Sequence, residues 1–175
     1  MKKTDNLEYR SQTKSAENSD AKENTLMKSL ENKTISQFQR QLCAVQGRLF
    51  ENSAKAGYES EAFINTFMKS GTAEFFDLPF DRTQWGGEEN LMYDIEEETK
   101  KSIPKGAAFS NESLFWTGYL YRYWHFLTGQ SSSEINSICD AKMMNTLFPG
   151  YHALDCTMAV ERILEGKIQE DGYVP

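Results

Sequence analysis

The chain has 175 residues, a formal net charge of -7 and an aromatic content of 13%, which is enough material for one hydrophobic core. No apolar run approaches the roughly 20 residues of a membrane span, and the N-terminus lacks the apolar segment of a secretory signal, so we expect a cytoplasmic protein without membrane contact. Up to Lys33 the chain has seven basic and six acidic residues, so 12 basic and 20 acidic residues remain after it. The rest of the chain is therefore acidic and repels phosphate groups, which disfavours nucleic-acid binding.

The first part of the chain, residues 1–33, is a polar tail in which Leu7 and Tyr9 are almost the only apolar side chains before Thr25. Such a segment buries too little surface to offset its ordering entropy, so we predict that it is disordered. It is a solvated leader or, as the alternative, a tether that folds on a partner. Residues 34–170 are predicted to form a single helical domain.

A helical hairpin is predicted at the start of this domain. One helix ends at Gly57, and a second helix has Ser60 as its N-cap and ends at Ser70-Gly71. Apolar residues spaced by three and four mark the core side of the pair. They are Ile35, Phe38, Leu42, Val45, Leu49, Phe63, Ile64, Phe67 and Met68.

The segment after the hairpin is predicted to be a short apolar turn, Ala73 to Leu78, which leads through Pro79 to Trp85-Gly86-Gly87. We expect the indole of Trp85 to cover a core or a groove. No Gly-Lys-Ser/Thr follows, so a phosphate-binding loop is disfavoured.

An acidic helix is predicted from Glu88 to Thr99, with Leu91, Met92 and Ile95 facing inward, followed by a loop from Ser102 to Ala108. The dense carboxylates of this helix indicate a solvated face or, as the second interpretation, a contact surface for a basic partner.

The stretch from Leu114 to Phe126 holds seven aromatic rings in thirteen residues. Apolar side chains fall on three adjacent lines at helical spacing, so the segment has no clean polar face and predicts a helix surrounded by others. Ser110 or Asn111 is its expected N-cap, and Thr128-Gly129 its end.

Three shorter elements complete the predicted fold. Ser131 and Glu134 form a capping box for a helix with Ile135 and Ile138 inward. A short helix from Lys142 to Phe148 stops at Pro149-Gly150, and Asp155 caps a terminal helix. The expected core residues of that terminal helix are Met158, Ala159, Ile163 and Leu164. The fold class is therefore all-α: a compact helical bundle around the central aromatic helix.

Few residues are suited to catalysis. His125 and His152 are the two histidines, and Cys156 at a helix N-terminus is expected to have a lowered thiol pKa, which makes a Cys156/His152 nucleophile the enzyme alternative. The three cysteines are widely spaced, without a Cys-x-x-Cys pair, so we expect no metal site and no cofactor.

Partner binding is the favoured interpretation. Arg122 lies among rings, where it is paired with a carboxylate, stacked, or directed to a groove that receives a partner carboxylate. Tyr, Trp and Arg dominate protein interfaces, so a protein partner is expected, and the oligomeric state stays open. The candidate contact residues are Trp85, Tyr119, Arg122, Trp124, His125 and His152.

A helix-turn-helix regulator is the other alternative, because the helices on either side of Thr128-Gly129 have the spacing of DNA-binding pairs. The second of these helices, Ser131 to Ala141, contains no Lys or Arg with which to hold phosphates.

Four groups of segments carry a family resemblance. They are Ala56-Gly57-Tyr58 with Ser60, Phe63, Phe67 and Met68; Gln84-Trp85-Gly86-Gly87; Trp116 to Trp124 with Thr128-Gly129 and Ser132; and Tyr151-His152 before Asp155. These segments resemble a family of small uncharacterised bacterial proteins encoded beside toxin-like genes, including ADP-ribosyltransferase-like ones. The resemblance spans about Ile35 to Glu165 and is most specific between Trp116 and Gly129. It implies an antitoxin or immunity partner in a toxin-antitoxin or defence module, and it transfers no catalytic residue.

Overall fold

The computed structural model describes the backbone of residues 33–172 and the side chains of residues 33–166. The chain divides into two units, residues 1–34 and residues 35–175. The predicted disordered tail lies outside the described residues. All helices that the structure describes belong to the second unit.

Helices make up the described fold, and the predicted all-α class is confirmed. No strand occurs in residues 33–172, where the β-type pairing is one isolated antiparallel bridge between Tyr58 and Lys105. No helix in this range combines the length and the apolar character that a membrane crossing needs. The elements are α1 Gln37–Lys55, α2 Ser60–Met68, α3 Gly71–Asp77, the 3-10 helix η1 Arg82–Gln84, α4 Gly87–Glu98, α5 Asn111–Thr128, α6 Ser132–Ile138, α7 Ala141–Tyr151 and α8 Cys156–Gly172.

The aromatic helix α5 lies at the centre, as its sequence predicts. It packs against α1, α6, α7 and α8, and its buried apolar side chains are Leu114, Leu120, Tyr121, Tyr123, Trp124 and Leu127. Its closest neighbour is α1, because Gly118 faces the backbone of Gln46 and Gly47. Two glycines at this crossing let the helix backbones meet without side chains between them.

The α1/α2 hairpin forms the second part of the core. Phe50 makes edge contacts with Phe63 and Phe67 at centroid distances of 6.3 and 5.7 Å. The loop before α5 closes the hairpin turn, where Lys105 Nζ donates to the Ala56 carbonyl at 2.9 Å and lies 3.2 Å from the centre of the Tyr58 ring. The predicted core residues of this hairpin are buried except Phe38, which is 37% exposed.

Helix ends show where local sequence rules hold. The N-caps Ser110 and Ser131 are confirmed, the latter in a full capping box with Glu134. The predicted N-cap Ser60 is wrong: Glu59 caps α2, accepting from the Glu61 and Ala62 amides, while Ser60 is buried and its hydroxyl accepts from the Phe109 amide.

Three other predictions need correction. The turn expected at Ala73 to Leu78 is the helix α3, capped by Ser70. Helix α7 continues through Pro149 to Tyr151. Pro149 has no amide hydrogen to donate to the Asn145 carbonyl, and the helix extends only two residues beyond it. Met158, expected in the core, is exposed, and the neighbouring Val160 is buried instead.

Gly129 ends α5 in the left-handed region, at a φ of 79°, with its amide donating to the His125 carbonyl at 2.8 Å. A Cβ here meets no atom within 4 Å, so its cost is purely conformational. We expect Gly129→Ala to lower the free energy of unfolding by about 1 kcal/mol in urea denaturation. Gly129→Asn serves as the control and should lose less, because asparagine tolerates this conformation; an equal loss contradicts the backbone explanation.

Candidate functional site

Arg122 is completely buried and forms an ion pair inside the bundle. Its NH1 group donates to Asp77 Oδ1 at 2.6 Å, and its guanidinium lies 4.2 Å from the centre of the Phe76 ring. Asp77 is the last residue of α3, so this pair joins α3 to the central helix. Burial lowers the pKa of the guanidinium and Asp77 opposes that effect; arginine stays protonated in either case.

The remaining donors of Arg122 also have partners. Nε donates to Gln46 Oε1 at 2.8 Å and NH2 to Ser132 Oγ at 3.2 Å. Asp77 also accepts from the Ser132 amide and hydroxyl, both at 2.7 Å. Helices α1, α3, α5 and α6 therefore meet at one polar cluster. Of the three interpretations of Arg122, the carboxylate pair is observed together with stacking on Phe76.

Next to this cluster, His125 and Trp124 hold the turn after α5. His125 Nδ1 lies 2.7 Å from the Gln130 carbonyl, so it carries the hydrogen, and Trp124 Nε1 donates to Gln130 Oε1 at 2.8 Å. Burial, together with the Arg122 charge, lowers the pKa of His125 below its usual 6.5, although Asp77 opposes the shift. Both residues are thus parts of the interior.

This histidine makes stability depend on pH. Since its folded-state pKa is lowered, the unfolded chain binds the proton more readily, and stability is lost as pH falls below 6.5. We expect the free energy of unfolding to fall between about pH 7 and about pH 5.5, and to fall less in His125→Asn, whose amide can still donate to the Gln130 carbonyl. Urea denaturation across this range measures the slope, with exposed His152→Asn as control; equal slopes in all three proteins contradict the assignment.

The Cys156/His152 pair lacks the geometry of a nucleophile and its base. His152 Nδ1 lies 2.9 Å from the Phe148 carbonyl, and its ring packs on Phe148 at 4.8 Å. No hydrogen bond joins the two side chains within the described residues. The expectation of a lowered thiol pKa is wrong, because burial raises the pKa of Cys156 to about 11. No group of three His, Cys, Asp or Glu side chains suited to a metal ion occurs in the part of the chain that the structure describes.

Large apolar side chains are exposed mainly on one segment. We define the exposed apolar surface as five residues that lie from α3 to the middle of α4: Phe75, Leu78, Phe80, Trp85 and Tyr93. Phe80 is 87% exposed and Trp85 70% exposed. Trp85 is also 5.5 Å from Phe38, measured between ring centroids, so the exposed side of α1 borders the same surface.

Hydrogen bonds from Gln84 and to Asp81 fix the backbone of the loop that carries this surface. Gln84 is buried, and its Nε2 donates to the Leu78 carbonyl at 2.7 Å. Asp81 Oδ1 accepts from the Thr83 amide and hydroxyl, both at 2.9 Å. Phe80 has a φ of 65°, a left-handed conformation that bulky residues rarely adopt. An aromatic side chain kept in a strained and exposed position suggests a functional constraint.

Two clefts adjoin the exposed apolar surface. The first, of about 380 Å³, lies between α3, the Asp81 loop and α4. The second, of about 560 Å³, lies between η1, Trp85 and α4. Both are lined by Arg82, Thr83 and Asp94, so Asp94 stands where they meet.

The first cleft is acidic, because Asp81, Asp94 and Glu98 line it together with a single basic residue, Arg82. Glu98 accepts from the Gly71 amide, the Thr72 amide and the Thr72 hydroxyl at 2.8, 2.9 and 2.7 Å. Burial raises the pKa of Glu98, but these hydrogen bonds outweigh it and hold the pKa below its usual 4.5. Hydrogen bonds from Thr83 likewise lower the pKa of Asp81. Both carboxyls are ionised at neutral pH.

Comparison of the chain with protein-family models, with curated proteins and with solved structures finds no match. The geometry and chemistry of the described residues therefore carry the functional argument.

The structure distributes the sequence-predicted contact residues over different places. Trp85 is on the exposed apolar surface. His152 is exposed on the far end of α7, and Tyr119 is half-buried against Phe115. Arg122 and Trp124 have no exposed surface, which does not fit the expectation that they contact a partner: their polar groups are used within the bundle.

Sequence analysis missed Phe75, Leu78, Phe80 and Tyr93. Phe75 and Leu78 lie in the segment expected to be a short apolar turn, Phe80 follows Pro79 directly after it, and Tyr93 lies on the acidic helix. The sequence contains one local indication of their exposure. Leu-Pro-Phe at 78–80 and Trp-Gly-Gly at 85–87 place apolar side chains where proline and glycine end regular helices.

Proposed function

We propose that this chain is a non-enzymatic protein-binding module that contacts its partner through the exposed apolar surface. The observation that carries the proposal is the concentration of five large apolar side chains in 19 residues, 75–93. Contiguous exposed apolar patches typically mark interaction sites, and aromatic residues supply much of the binding energy at interfaces.

The fixed loop supports the same proposal. A loop backbone fixed by Gln84 and Asp81 loses little conformational freedom when a partner covers it, so more of the apolar contact energy appears as affinity. The strained backbone of Phe80 is consistent with a side chain kept exposed for contact.

The partner we propose is a toxin encoded nearby, with this chain as its antitoxin or immunity protein. Support comes from the family resemblance of the sequence and from the acidic charge of the domain, which suits a basic protein. The alternatives have less support. In the helix-turn-helix interpretation, α6 has no basic residue, and its first amide and hydroxyl are bound by Asp77. In the enzyme interpretation, Cys156 has a raised pKa.

Two variants test the binding surface: Phe80→Gly and Trp85→Ser. Each is co-expressed with the product of the adjacent gene, and binding is measured by co-purification and by relief of that product's toxicity. Because the two side chains are exposed and hot-spot aromatics typically contribute at least about 2 kcal/mol, we expect affinity to fall at least about 30-fold. Met158→Ser, an exposed apolar residue on α8, is the matched control and should bind normally.

The stability of Phe80→Gly is part of this test. Glycine accepts a φ of 65°, so the variant should unfold at the same urea concentration as the wild type or a slightly higher one. Lost binding with retained stability supports the proposal. Normal binding by both variants, or no binding by the wild type, contradicts it.

A further inference from the structure

The acidic helix α4 has carboxylates without a partner next to the exposed apolar surface. Glu88 is bound by Arg48 at 2.7 Å, Glu96 by the Tyr58 hydroxyl at 2.8 Å, and Glu98 by Thr72. In contrast, the side chains of Glu89, Asp94 and Glu97 make no hydrogen bond or ion pair with any residue that the structure describes. These three charges are free to meet a ligand.

Helix geometry places the free charges around an exposed ring. Residues four apart lie on the same face of a helix, so Glu89 and Glu97 flank Tyr93, and Asp94 is next to it at the junction of the two clefts. Phe75 lines the first cleft, and Trp85 lines the second. The surface thus alternates aromatic rings and carboxylates.

We propose that the partner presents a basic amphipathic segment, with Lys or Arg between apolar residues, and that one of its cations enters the cleft beside Asp94. The inference rests on the proposed function and specifies the class of partner. A cation there meets a carboxylate without a competing internal partner, and aromatic faces beside it favour cations further. The flanking apolar side chains of the segment cover Phe80, Trp85 and Tyr93.

Arg82 sets a limit on this attraction. It lines both clefts and repels an incoming cation, while the adjacent Asp81 offsets part of that charge. Removing the Arg82 charge should therefore strengthen binding of a basic segment, which is the opposite of the effect expected for a partner that is acidic.

The test uses the full chain and a synthetic amphipathic peptide of lysine and leucine. Amide chemical shifts locate the peptide, and fluorescence anisotropy gives its affinity. We expect shifts confined to residues 71–98 and to the neighbourhood of Phe38 on α1. We also expect affinity that falls with added salt, a decrease of about tenfold in Asp94→Asn and an increase in Arg82→Ala. Glu165→Gln, an exposed carboxylate on α8, is the control and should leave affinity unchanged.

Several results overturn the inference. They are equal binding of a peptide with glutamate in place of lysine, shifts away from both residues 71–98 and Phe38, unchanged affinity in Asp94→Asn, and binding to phosphatidylglycerol vesicles that equals binding to the peptide. If these occur while Trp85→Ser still abolishes binding of the adjacent gene product, the proposed function stands and the basic-segment inference alone fails. If the adjacent gene product never binds, the proposed function fails first.

Discussion

Alanine at Asp77 is expected to lower the free energy of unfolding by about 3–5 kcal/mol, because it leaves the guanidinium of Arg122 buried without its counter-charge. Arg122 is 0% exposed and Asp77 Oδ1 is 2.6 Å away, so the variant leaves a completely buried cation without a carboxylate. The Ser132 amide and hydroxyl lose an acceptor in the same variant. Urea denaturation followed by circular dichroism measures the effect.

Two further variants show whether the loss of stability in Asp77→Ala comes from the buried charge. Glu88→Ala removes a carboxylate of similar geometry, 2.7 Å from Arg48 but exposed to solvent, and should cost less than about 1 kcal/mol. The double variant Asp77→Leu/Arg122→Met removes both buried charges and should be more stable than Asp77→Ala, because neither charge is left uncompensated. If Asp77→Ala costs no more than Glu88→Ala, the buried pair has no structural importance.

Gly118→Ala is expected to cost about 3 kcal/mol, the upper end of the usual cost of overpacking. The new Cβ would lie 2.5 Å from the Gln46 carbonyl oxygen and 2.8 Å from the Gly47 Cα atom. Backbone atoms cannot rotate away, so α1 and α5 must separate. That separation also pulls the Gln46 side chain from Arg122, to which it is bound at 2.8 Å.

The control for this prediction is Gly150→Ala in α7, where an added Cβ meets no atom within 4 Å. Alanine has the higher helix propensity, so this variant should be neutral or more stable by up to about 1 kcal/mol. Thermal and urea unfolding of the two variants are compared. Equal stability of Gly118→Ala and the wild type contradicts the close crossing of α1 and α5.

The sequence predicts the fold well where local patterns are long. Thirteen residues of dense aromatic periodicity locate α5, and Ser131 with Glu134 locates the start of α6, because helix periodicity and capping chemistry are local properties. The prediction fails for α3, whose seven residues are too few to show a period. It also fails at Met158, where the direction of the helix face depends on contacts with other helices.

The candidate site is less predictable from sequence. Arg122 is identified as a charge that needs a partner, but its partner Asp77 is 45 residues away and belongs to the helix that was not predicted. Trp85, a contact residue predicted from the sequence, is 70% exposed, whereas the exposure of Phe75, Phe80 and Tyr93 depends on which neighbours cover them. Burial is a property of the assembled bundle, and composition and spacing do not determine it.

The position of Asp77 has one more consequence. Asp77 joins the start of the loop after α3 to Arg122, whose side chain is completely buried, since Leu78 follows Asp77 directly in the chain. An opening that displaces Asp77 together with this loop therefore breaks the Arg122 ion pair and leaves a buried charge without its partner, which makes that opening costly. A ligand meets a rigid template that is complete before the encounter, so recognition should proceed as a single docking step without a preceding rearrangement.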